Sequence, residues 1–204
     1  MSEGPARFYT ERVPEQFNRA LARTLAAEGE NGRVYRGLIG VDGTIEARVE
    51  GASDSPFHLN IDAGRMSVGD GPTHEPFVVL VHDLAACEAI ERESADSALG
   101  LLGGMAGLKQ DILFTKLRVD NLRLVNGTVR FSLEGAQGFT LLTHFGSGEP
   151  AAEPDCELSI DQEIYAQLRA GEIDPQEAFL SGKIDIVGDL QMAMQLALAV
   201  MSPD

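Results

Sequence analysis

Glycines at 100, 103, 104 and 107 run ahead of Lys109, a pattern that could cradle a phosphate. The lysine does not follow the last glycine directly, however, and no Ser or Thr succeeds it, so the requirements of a phosphate loop are unmet. His58, Asn60 and Asp62 alternate along one strand face and could present a metal pair, while Phe57, Leu59 and Ile61 occupy the other face. That alternation also describes a half-buried strand with a solvated polar side, which is the expectation here. His82-Asp83 and His144 each fall near a strand end without the third partner that a nucleophile triad needs. Cys87 and Cys156 stand alone, far apart, and read as buried reduced thiols. No catalytic residue, metal ligand or cofactor is therefore expected.

The elements that would position these residues show an internal resemblance. Gly43-Thr44-Ile45 through Glu50-Gly51-Ala52 matches Gly127-Thr128-Val129 through Glu134-Gly135-Ala136, both with the alternation of a strand. Phe57, Leu59 and Ile61 are set against Phe139 and Leu141, and Asp83 to Gly104 against Asp161 to Gly182 without gaps. The order of features is the same in both halves, which predicts a degenerate tandem, with a first unit over residues 1–110 and a second over 111–204. Each is expected to run strand, strand, a short third strand or turn, strand, then helices.

Local signals refine this plan. Pro14 to Leu25 carries Phe17, Leu21 and Leu25 on one stripe and reads as a docking helix. Ser97 to Lys116 reads as apolar and helical, and Leu117 to Val125 as a strand. Asp161 is a candidate N-cap and Gly171 the following stop. Asp174-Pro175-Gln176-Glu177 has the capping-box pattern of a helix start. Ile184 and Ile186 predict a short strand, and Gly188-Asp189 the cap of a last helix, 190 to 200. That helix is apolar around most of its circumference, and Met192, Met194 and Met201 give it adaptable side chains suited to a core or to a cavity wall.

Composition limits the partners. Of 204 residues, 16 are Lys or Arg and 32 Asp or Glu, a net charge of -16 that opposes binding to phosphate backbones, so no nucleic acid is expected. Residues 127–204 hold 3 basic and 13 acidic side chains, which coats the second unit with acid. The 44% hydrophobic content suffices for a real core. Met192 to Met201, the longest mostly apolar stretch, is about half the ~20 residues of a spanning helix, so no stable membrane insertion is expected. Without a recognisable address signal, the cytoplasm is the expected compartment.

At Asp155-Cys156-Glu157-Leu158-Ser159-Ile160-Asp161, then Gly171 through Ile184 with its Ala178-Phe179-Leu180-Ser181-Gly182-Lys183 run, then Gly188-Asp189 and Ala193-Met194, the chain closely resembles the sterol carrier protein 2 family. The resemblance covers about residues 125 to 201, and the first unit is a fainter version. It implies an α+β fold, a five-stranded mostly antiparallel sheet covered by helices, and an apolar tunnel for fatty acids, acyl-CoA, sterols or phospholipids. In this chain the implied lining is Phe131, Leu133, Phe139, Leu141, Leu158 and Ile160, opposed by Phe179, Ile184 and Ile186 and by Met192, Met194 and Leu196. The second unit has only three cations, so a fatty acid, sterol or other neutral lipid is favoured over acyl-CoA unless Lys109, Lys116, Arg118 and Arg123 fold over the mouth. Ala47 stands where the second unit has Phe131, so the first unit is expected to be largely structural. Two other readings use the same residues. One is a cofactor-free enzyme on a hydrophobic substrate, which needs Asp161, His144 or His82 to point inward. The other is a packed module that forms a homodimer or docks on a partner enzyme.

Overall fold

The computed structural model describes residues 4–93, 113–136, 138–173, 177–178 and 181–200. The chain opens with α1 (Pro5–Arg7), a π-helical turn (Phe8–Arg12) and α2 (Val13–Glu28), followed by α3 (Arg33–Ile39). Four strands come next, β1 (Gly43–Glu50), β2 (Phe57–Asp62), β3 (Arg65–Gly69) and β4 (Pro76–Asp83), and then α4 (Leu84–Glu93). After α5 (Lys116–Leu124) the chain forms β5 (Gly127–Glu134), β6 (Phe139–Phe145), β7 (Cys156–Asp161), α6 (Gln162–Ala170), β8 (Ile184–Gly188) and α7 (Leu190–Val200).

The strands make one eight-stranded sheet in the order β3-β2-β1-β4-β6-β5-β7-β8. Among the described strands only β1 with β4 and β5 with β7 pair in parallel. The fold is α+β with a mostly antiparallel open sheet. Pairing in the second half repeats that in the first: β5 takes β6 antiparallel and β7 parallel, as β1 takes β2 and β4. Thr44 faces Asn60 as Thr128 faces His144, and Glu50 faces Asp83 as Glu134 faces Asp161. By register Phe57 therefore corresponds to Leu141 and not to Phe139. The sequence match was displaced by two positions, a shift that preserves strand parity and so leaves the hydrophobic pattern looking correct. The five strands implied by the resemblance become eight because β4 pairs with β6 and joins the halves edge to edge.

A polar device also recurs, on the sheet face away from the cavity. Thr44 donates to Asn60 Oδ1 at 2.7 Å and accepts from the His74 amide, while Asn60 Nδ2 donates to the Gly71 carbonyl. In the second half His144 takes the place of Asn60: its Nδ1 accepts from Thr128 Oγ1 at 3.1 Å, its Nε2 donates to the Ser147 carbonyl, and Thr128 Oγ1 accepts from Ala151 N. Each set pins the following loop to the sheet. Asn60 is thus 5% exposed, and His58 lies beside Glu46 at 3.5 Å, so only Asp62 keeps the solvated position expected of all three.

Helix signals at both ends hold. Asp161 caps α6 through Glu163 N at 2.7 Å, Gly171 ends it at φ 68°, and Asp189 caps α7 through Met192 N at 3.0 Å. In α2, Val13, Pro14 and Phe17 are buried and Asn18 exchanges two 2.9 Å hydrogen bonds with the backbone of Met66, covering the edge strand β3. Residues 116–124 are helical where a strand was expected. Val119 and Leu122 face the core at helical spacing while Leu117 and Leu124 are exposed, and Lys116 pairs with Asp120 at 2.8 Å. Most of the helix expected at 97–116 and the start at Asp174-Pro175-Gln176 lie outside the described residues.

Candidate functional site

Register builds the site. Across β6, β5, β7 and β8 the pairing aligns Leu141, Phe131, Leu158 and Ile186 in one row, and Phe139, Leu133, Ile160 and Ile184 in the next. The side chains project to the face on which α6 and α7 pack, and each one fully buried contributes ~1.5–3 kcal/mol. Ile184 and Ile186 extend this wall as its fourth column; they do not oppose it, because β8 is a strand of the same sheet. A cavity of about 40 Å³ opens between the second row and α6, lined by Phe131, Leu133, Phe139, Leu158, Ile160, Tyr165 and Ile184 and by Ser132 and Ser159.

Six of the residues read from the sequence thus meet at the cavity. Leu141 is 1% exposed and packs within the core cluster. Ile186 is half-buried against that cluster, and Met192 and Leu196 are buried under α7. Met194 points away and is 53% exposed, and Phe179 lies outside the described residues. Tyr165 was missed. It sits four residues after the Asp161 cap, one helical turn along α6, which brings it back over the sheet; that spacing was its only signal.

The polar side chains named for catalysis are engaged elsewhere. Asp161 caps α6, and His144 hydrogen-bonds Thr128 on the opposite face. His82 is buried in the first half, with Nδ1 donating to the Asp83 carbonyl at 2.9 Å and Nε2 accepting from Tyr9 OH at 2.6 Å. Burial pulls the His82 pKa below its ordinary 6.5, against the opposing effects of the Asp83 carbonyl and the carboxylates of Asp83 and Glu50. The unfolded chain then binds the proton more readily, so this group's contribution to stability is complete above about pH 6.5 and declines as pH falls toward the lower folded-state value. Urea unfolding at pH 7.5 and 5.0 is expected to show a smaller loss of stability in His82→Gln than in the wild type. An equal loss would exclude the histidine as the source.

Burial also raises both thiols, Cys87 to about 12, leaving them protonated and unreactive at neutral pH. Among the described residues no cluster of His, Cys, Asp or Glu could hold a metal ion, and no helix is long and apolar enough to cross a membrane.

Residues 112–200 match the model of the SCP-2 sterol transfer family. The matched residues are those that build α5, β5 to β8, α6 and α7. Hydroxysteroid dehydrogenase-like protein 2 of Danio rerio is 39% identical over 51 residues, which are 25% of this chain and 12% of that protein. Its Bos taurus counterpart is 27% identical over 92 residues, 42% of this chain and 22% of that protein. The chain therefore spans less than a quarter of the length of either relative. Among solved structures, the sterol carrier protein domain 2 of Helicoverpa armigera is 26% identical over 44% of this chain and 77% of that one, with a TM-score of 0.28. Sterol carrier protein 2 from Yarrowia lipolytica is 19% identical over 43% of this chain and 79% of that one, with a TM-score of 0.29.

Proposed function

We propose that this chain binds a hydrophobic ligand, a fatty acid, sterol or other lipid without a strongly charged head, between the β5-β7-β8 wall and α6, and carries or sequesters it in the cytoplasm. The observation that carries this reading is the pair of in-register apolar rows ending in an open cavity within the family domain. The first unit, residues 1–110, is structural in this reading and the second, 111–204, holds the ligand.

About 40 Å³ holds only a few methyl groups, so a lipid must enlarge the site. The sheet wall is tied into its neighbours by backbone pairing on every strand, whereas α6 rests on β5 and β7 through side chains. Outward movement of α6 is therefore the opening motion.

The cations support an uncharged or singly charged head. Arg130 is paired with Glu157 at 2.7 Å, Lys116 with Asp120, and Arg123 donates to the Asp42 carbonyl. Arg118 donates to the carbonyls of Val200 and Leu113, tying α5 to the end of α7. No cluster assembles at the cavity among the described residues. A large excess of free coenzyme A is expected not to displace a bound fluorescent fatty acid; displacement would overturn the head-group assignment.

Native mass spectrometry of freshly purified protein, followed by organic extraction, tests the function itself. One lipid class near one per chain is the expected result. A bare spectrum that fatty acid, sterol and phospholipid all fail to shift would overturn the proposal.

A further inference from the structure

The register equivalence between the halves extends to the positions around the cavity. Ala47, Val49, Leu80 and His82 occupy in β1 and β4 the positions that Phe131, Leu133, Leu158 and Ile160 occupy in β5 and β7. Four residues beyond each capping aspartate, Cys87 on α4 stands where Tyr165 stands on α6. Five of the nine cavity-lining positions, Phe131, Leu133, Leu158, Ile160 and Tyr165, thus have a counterpart in the first half, and at Ala47 and Cys87 the counterpart is much smaller. Substituting alanine for phenylalanine and cysteine for tyrosine removes two rings from the space between sheet and helix. A void of that size does not persist in a packed interior.

It is filled from the amino-terminal segment. Tyr9 is 3% exposed and Phe8 1%. The Tyr9 ring stacks on Phe57 of β2 at 5.3 Å and lies 5.8 Å from the His82 ring of β4, so it spans β1 at Ala47 and Val49. Phe8 packs edge-on against it at 4.9 Å. Both rings come from the π-helical turn, Phe8–Arg12, and the extra residue per turn lets two consecutive aromatic side chains both reach inward. Among the described residues the phenol hydroxyl hydrogen-bonds to one polar group, His82 Nε2, at 2.6 Å. The Asp83 carbonyl holds the Nδ1 proton and so keeps Nε2 as an acceptor.

We infer that the first half contains a second apolar binding site, occupied by the chain's own Tyr9, whose shape and buried His82 acceptor fit a flat hydrophobic molecule bearing one hydroxyl group. Phenols and ring alcohols are the matching chemical class. In the intact chain the π-helical turn is the resident occupant, and an external ligand enters only in its place.

This site is independent of lipid binding in the second half and is probed with different ligands. Tyr9→Ala in the full chain is expected to lower Tm, and p-cresol, the severed tyrosine side chain, is expected to restore several degrees in the variant while leaving the wild type unchanged. Toluene, which lacks the hydroxyl, should restore markedly less, and Tyr9→Ala/His82→Leu should lose the preference for p-cresol. Should Tyr9→Ala fail to fold, Tyr9→Val provides the same comparison with a smaller void. Equal Tm responses of variant and wild type to p-cresol would overturn the inference, as would equal rescue by toluene. Fluorescent fatty acid binding by the same variants reports the second-half site separately. Its absence with p-cresol rescue intact would defeat the proposed lipid function and leave this site standing.

Discussion

Ile184→Trp is expected to reduce fatty acid affinity at least tenfold while leaving the protein folded, measured by titration with a fluorescent fatty acid and by thermal unfolding. Ile184 is half-buried, ends the second apolar row and lines the cavity from the edge strand β8. An indole there projects into a space of about 40 Å³ that any ligand must enlarge. Because β8 has a strand on one side only, the added volume can be relieved outward, so the fold should tolerate a change that a central strand would not. A tenfold loss corresponds to about 1.4 kcal/mol of binding free energy. Unchanged affinity would place the ligand elsewhere.

Leu141→Ala should do the reverse. Leu141 lies in the neighbouring apolar row, on β6 between β5 and β4, with 1% exposure and outside the cavity lining. Its removal leaves a hole walled by strands on both sides, which cannot collapse, and a cost of about 2–5 kcal/mol follows. Against a usual total of about 5–15 kcal/mol, that is a large fraction of the stability. Urea unfolding should show the loss, while ligand affinity measured below the unfolding transition should stay within about threefold. A stable Leu141→Ala protein with weakened ligand binding would move the cavity boundary one strand toward the centre of the sheet.

The pair of substitutions separates two roles that alternation alone merges. Phe131, Leu133, Phe139, Leu141, Leu158 and Ile160 are all readable as one hydrophobic face, since side chains two apart on a strand must share a side. Nothing in that pattern distinguishes Leu141 from Phe139, although one is core and the other lines the opening. The difference arises from the pairing of β4 with β6, which encloses the row containing Leu141, and from α6, which stands off the row containing Phe139.

Local chemistry was legible wherever a short-range rule governs it. The Asp161 cap, the Gly171 stop, the Gly188-Asp189 entry into α7 and the strand alternation depend on groups within a few residues of one another, and the chain alone determined them. Residues 116–124 show the limit of this reading. Leu117, Val119, Leu122 and Leu124 fit a strand and a helix almost equally, and the burial of Val119 and Leu122 beneath neighbouring elements selected the helix. Met194 failed for a related reason: a helix apolar all round does not declare which side meets the sheet, and packing on β7 and β8 turned Met192 and Leu196 inward and Met194 outward.

The repeated order of strands and the family resemblance of the second half were present in the sequence, because spacing and residue type can be read without any partner in view. Tertiary structure alone decided that both halves share one sheet, that His144 does the work of Asn60, and that Tyr9 fills the space left by Ala47 and Cys87. Each of these joins residues far apart along the chain, and such contacts are chosen by volume and hydrogen-bond complementarity between surfaces that exist only once the sheet has formed.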